Sequence, residues 1–87
     1  MSRVIHIAGL VVHMQPVRMA EVHAAIRALP GAEVHSYTET GKTVVTLEAE
    51  DSARISDHLS AIHAIEGVLA AALVYEAHEE EGHEHAA

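Results

Sequence analysis

Two hydrophobic periods alternate along this chain. From Val4 to His13 the run VIHIAGLVVH is rich in β-branched residues and stops at Gln15-Pro16, which predicts a first strand. Val17 to Leu29 changes period: Met19, Val22, Ile26 and Leu29 recur at steps of three and four, with Arg18, Glu21 and Arg27 off that stripe, which predicts an amphipathic helix. Pro30-Gly31 ends it, because the residue before a proline avoids helical geometry. Ala32 to Thr38 is a second strand, Glu39-Thr40-Gly41 a turn, and Lys42 to Glu50 an alternating third strand. Asp51 and Ser52 are good N-caps for a second helix whose apolar positions are Ile55, Leu59, Ile62 and Ile65. Gly67 can supply a left-handed end, and Val68 to Ala77 is an apolar final strand.

The order β-α-β-β-α-β predicts an α+β, ferredoxin-like two-layer sandwich in one domain, residues 1–77, with both helices on one face of an antiparallel sheet of order 4-1-3-2. Leu29-Pro30-Gly31-Ala32 and Ile65-Glu66-Gly67-Val68 carry the same helix-to-strand punctuation in the two halves. The run HEEEGHEHAA, residues 78–87, has no aliphatic side chain larger than alanine to offset ordering entropy, and reads as a disordered acidic tail.

Such a sandwich leaves one sheet face uncovered, and strand alternation sorts side chains between the faces. In strand three Val45, Leu47 and Ala49 are the better core set, which puts Val44, Thr46 and Glu48 outside. In strand two Val34 points in, and Glu33, His35 and Tyr37 point out. Strands one and four are apolar on both sides. Choosing Ile5, Ile7, Val11, Leu69, Leu73 and Tyr75 as core leaves His6, Ala8, Leu10, Val12, Ala70, Ala72, Val74 and Glu76 on the open face. An apolar surface of that extent marks a partner site or a homodimer interface. Antiparallel order draws His6, Glu33, Glu48 and Glu76 toward one edge, giving a face acidic at one end and apolar at the other.

Composition narrows the partner. The 87 residues carry a net charge of −8 with histidines neutral, and Tyr37 and Tyr75 are the only aromatic residues, so the cations and stacking rings that nucleic acid requires are missing. A basic partner suits that balance. The absence of cysteine removes disulfides, thiolate nucleophiles and cysteine metal sites, and permits a reducing compartment. No apolar run approaches the roughly 20 residues of a membrane span, and no cleavable leader is apparent, so the expected location is the cytoplasm. No G-x-G-x-x-G, P-loop, H-E-x-x-H, C-x-x-C or G-x-S-x-G sequence occurs, so neither catalytic residues nor a bound cofactor are expected. The nine histidines are scattered. His58 and His63 do not share a helix face as an i, i+4 metal pair would, and His83, Glu84 and His85 read as part of the solvated tail.

Several short runs, in order, resemble the NapD family: Gly9-Leu10-Val11-Val12, Leu29-Pro30-Gly31-Ala32-Glu33-Val34, Gly41-Lys42, Leu47-Glu48-Ala49-Glu50-Asp51, Ile65-Glu66-Gly67-Val68-Leu69 and Leu73-Val74-Tyr75. The resemblance spans nearly the whole chain. Gly9 stands where that family often has serine, and Glu76 follows Tyr75 where histidine is common. The resemblance implies a cytoplasmic chaperone that binds the twin-arginine signal peptide of the periplasmic nitrate reductase catalytic subunit and delays export until cofactor insertion, the cofactor belonging to the partner. A leader that is basic at its start and apolar in its middle matches an acidic-to-apolar face. The expected peptide-binding residues are Leu10, Val12, Glu33, Val44, Thr46, Glu48, Ala72, Val74 and Glu76, with Glu33, Glu48 and Glu76 receiving the arginines. The alternative is a ferredoxin-like dimer that binds or converts a small molecule between two open faces.

Overall fold

The computed structural model describes residues 3–81. Strand β1 (Arg3–Met14) leads through a 3-10 turn (Pro16–Arg18) into helix α1 (Met19–Arg27), then β2 (Ala32–Tyr37), β3 (Lys42–Ala49), α2 (Ser52–His63) and β4 (Val68–Glu81). All three pairings are antiparallel, and the sheet order β2-β3-β1-β4 is the expected ferredoxin-like 4-1-3-2 read from the other edge. The first helix begins two residues later than its apolar period suggests, because Pro16 sits in the first turn and the chain winds more tightly there.

Local chemistry ends each helix where the sequence marks it. The Asp51 carboxylate accepts a hydrogen bond from the backbone N–H of Arg54 at 2.9 Å, holding one of the four donors a helix start leaves free. At the far ends the two halves repeat one device. Gly31 has φ +81° and Gly67 φ +102°, and one residue on, Ala32 N–H donates to Leu29 O and Val68 N–H to Ile65 O, each at 3.1 Å. Positive φ there is open to glycine at little cost.

The core lies between the helices and one face of the sheet. Val22 and Ile26 of α1 and Ile55 and Ile62 of α2 pack on Ala8, Leu10, Val12, Met14, Val45 and Leu47, all buried. Burying each large side chain in such a set contributes about 1.5–3 kcal/mol.

This arrangement reverses the expected faces of β1. Ala8, Leu10 and Val12 are fully buried, and the odd-numbered Ile5, Ile7 and Val11, expected in the core, lie on the side without helices, half-buried. Alternation alone could not decide, since both sets are apolar. The even set wins because Ala8, Leu10, Val12 and Met14 run without a break, whereas the odd set is broken at its centre by Gly9; each set carries one imidazole, His6 or His13. His6, expected on the open face, shares its side with Ala8 and faces His78 across β4, with ring centroids 5.7 Å apart.

Strand β4 departs from the sequence reading in two ways. Its register against β1 shifts at Gly9/Leu10: Leu73 pairs with Leu10 and Tyr75 with Gly9, so Val74 is an extra residue. One inserted residue reverses the alternation beyond it, which sends Tyr75 to the open side and Glu76, partner of the buried Ala8, to the helix side. Leu73 keeps the expected helix side, opposite Leu10, but is 44% exposed on this edge strand, and Leu69, also expected in the core but skipped by a further shift at His13/Met14, is 66% exposed. The strand also runs past Ala77 to Glu81, where the tail had been expected to begin, because β1 starts at Arg3 and its first residues present backbone groups for pairing whatever the side chains. His83, Glu84 and His85 lie outside the described residues.

Candidate peptide-binding face

The uncovered face is built from alternate residues of all four strands. Ile5, Ile7, Gly9, Val11 and His13 come from β1, and opposite them on β3 stand Glu48, Thr46, Val44 and Lys42. Strand β2 adds Glu33 opposite Thr46 and Ser36 opposite Val44, and β4 adds Ala70, Ala72, Tyr75 and Ala77. Val44 remains 38% and Tyr75 51% exposed, so a continuous apolar band of Ile7, Val11, Val44, Ala72 and Tyr75 meets solvent. Isolated apolar residues on a surface are ordinary; a contiguous band on a sheet makes this face the candidate docking surface.

The band is charged at its ends, and with opposite sign. Glu48 lies beside Ile7 toward one end, with Glu33 one cross-strand row inward beside Thr46, while Lys42 pairs with His13 at the other end. Six residues of strand separate Glu48 from Lys42, about 20 Å at the strand rise of ~3.3 Å per residue. At the acidic end His35 Nε2 is hydrogen-bonded to Thr46 Oγ1 at 2.6 Å, the donor depending on the tautomer, and stands 3.5 Å from a Glu33 carboxylate oxygen. The register shift of β2 against β3, between Val34 and Ser36, leaves His35 without a register partner on β3.

Of the residues expected to bind a peptide, Glu33, Val44, Thr46, Glu48 and Ala72 share this face. Leu10 and Val12 do not: both are 0% exposed in the core. Glu76 stands on the helix side of β4 and cannot join Glu33 and Glu48 in one pole, and Val74 occupies the bulge. The alternation missed Ile5, Ile7, Val11 and Tyr75. Gly9 was the available signal, since a residue with no side chain at the centre of one alternate set argues against that set filling a core.

On the helix side a polar group is enclosed. His23 of α1 is 5% exposed; its Nε2 and the buried Thr43 hydroxyl are hydrogen-bonded at 2.8 Å, the donor depending on the imidazole tautomer. Tyr37, expected on the open face, packs edge-on against this ring at 4.8 Å between centroids. Burial pushes the His23 pKa below 6.5, and the Arg27 guanidinium adds to the effect. The neutral form is therefore the one that folds. Between pH 6.5 and the lower folded value the unfolded chain binds more protons than the native one, so this group's contribution is full above pH 6.5 and falls as pH drops through that window. The unfolding midpoint should decline from pH 7.5 to pH 5, and His23→Gln should remove part of that slope; an unchanged slope would show that the imidazole is not the group responsible.

A βαββαβ sandwich whose free face carries an apolar band between charged ends is a ferredoxin-like domain with one sheet face left open as a candidate binding surface. The chain belongs to the NapD family, whose model, described as NapD protein, matches residues 5–80. It is 37% identical over 79 residues to chaperone NapD of Escherichia coli K12, covering 90% of this chain and 91% of that one. It is 37% identical over 75 residues to chaperone NapD of Paracoccus pantotrophus, covering 86% and 66%. The solution structure of the E. coli Tat proofreading chaperone NapD superposes with a TM-score of 0.77 at 34% identity, covering 93% of this chain and 86% of that one. Among the described residues no helix is long and apolar enough to cross a membrane.

Proposed function

We propose that this chaperone acts in the cytoplasm, without turnover of its own, by holding the twin-arginine signal peptide of a periplasmic nitrate reductase catalytic subunit on the uncovered face, keeping it from export until the subunit has its cofactor. The observation that carries this reading is the apolar band of Ile7, Val11, Val44, Ala72 and Tyr75 ending at Glu33 and Glu48. A leader of that kind is basic and then apolar, so each part meets its chemical complement. Arginine suits the acidic end because its planar fork can make two parallel charged hydrogen bonds to one carboxylate. Membership of the chaperone NapD family and the likeness to a Tat proofreading chaperone support the same partner.

Titration of the protein with the leader peptide in a calorimeter should give saturable binding, with a heat-capacity change that is negative because apolar surface leaves water. A scrambled leader of the same composition should give far less heat. Equal binding of both peptides, or no heat with either at micromolar concentration, would refute the specific assignment.

A further inference from the structure

Near the middle of the uncovered face an aromatic ring lies over a glycine. Tyr75 follows the bulge residue Val74, its register partner is Gly9, and a Cβ built on Gly9 would fall 2.6 Å from Tyr75 Cδ1 and 3.2 Å from its Cζ. Gly9 is buried although no helix covers it, and Tyr75 keeps 51% of its surface open, as a ring does with one face on the sheet and the other outward. Ile7 and Val11 flank Gly9 on the same side of β1. Without a Cβ at position 9 the ring can lie close over the β1 backbone; with one, it must rise or swing away.

We infer that Gly9 and Tyr75 together form a recessed aromatic tile at the centre of the docking face, against whose outer surface the apolar stretch of the leader packs an aliphatic side chain. The inference rests on the proposed occupancy of this face by the leader. It adds the contact that sets the fit: Tyr75 presents area at small entropic cost, since only two side-chain torsions need ordering, and Gly9 sets the height of the ring. Leaders carrying an apolar rather than a charged residue at that point are the class this surface selects.

The test is an NMR titration of methyl-labelled leader with unlabelled protein. Methyl groups lying on the face of an aromatic ring shift upfield, and Tyr37, packed against His23 on the helix side, cannot supply that shift. One or more leader methyls should move upfield with wild type, and the shift should vanish with Tyr75→Leu, which retains apolar area but has no ring. Gly9→Ala should lift the ring, alter the shift and weaken binding about tenfold, an overpacking effect. If Gly9→Ala fails to fold, Tyr75→Leu carries the comparison. Saturable binding with no upfield methyl, or a shift that persists in Tyr75→Leu, overturns the tile and leaves leader binding intact. No binding by wild type overturns the underlying reading and the tile with it.

Discussion

Shortening Leu10 to alanine should cost the domain about 3 kcal/mol, while Val44→Asp on the other side of the sheet should cost no more than about 1 kcal/mol and abolish leader binding. The difference follows from where the two side chains stand. Leu10 is 0% exposed beneath both helices, so its truncation loses transfer energy and leaves a cavity the neighbours fill only in part, an effect of about 2–5 kcal/mol. Against a total stability of about 5–15 kcal/mol that is a large fraction. Val44 is 38% exposed, so an aspartate there can reach water, yet it puts a charge into the apolar band where the leader would have to desolvate it. Chemical denaturation and calorimetry on the two variants separate the outcomes. A Leu10→Ala protein as stable as wild type, or a Val44→Asp protein that binds normally, would mean the faces are assigned the wrong way round.

Reversing both carboxylates of the acidic end, Glu33→Lys with Glu48→Lys, should weaken binding about a hundredfold, or ~2.8 kcal/mol, and invert its dependence on salt. In wild type, added salt screens attraction between the carboxylates and the leader's arginines; in the variant it screens repulsion, so binding improves with ionic strength. A single exposed ion pair is worth only about 0–1 kcal/mol, and the larger figure arises because two attractive contacts become two repulsive ones under a peptide that excludes water. Glu76→Lys is the control. It changes net charge by the same amount per site but stands on the helix side of β4, and should shift affinity less than twofold. Equal losses from Glu76→Lys and from either single reversal would show that overall charge matters and the position of Glu33 and Glu48 does not.

The five predicted connections and the sheet order were legible in the chain because each depends on chemistry within a few residues. Pro30-Gly31 and Gly67 stop helices, Asp51 starts one, and the right-handed crossover rule then leaves few ways to join four strands. In β3 the alternation also sorted the two faces as the structure has them: Val45 and Leu47 went under the helices and left Val44, Thr46 and Glu48 outside, since only one side of that strand is strongly apolar.

In β1 and β4 both sides are apolar, and there the sequence could not choose. An apolar face left open to solvent is written in the same residues as a core, so composition does not tell the two apart. Which set turns inward is decided by packing: Leu10 meets Val45 and Leu73 in register under Val22, Ile26, Ile55 and Ile62, and neither that register nor the layer above it is encoded locally. The bulge at Val74 is likewise a property of the paired strands, and through it tertiary structure moved Tyr75 onto the open face and Glu76 off it. The sequence by itself determined the elements, their order and the acidic balance that favours a basic partner. Only the assembled sheet decided which apolar residues are buried for stability and which remain free to bind, because a strand's two sides become different only when something covers one of them.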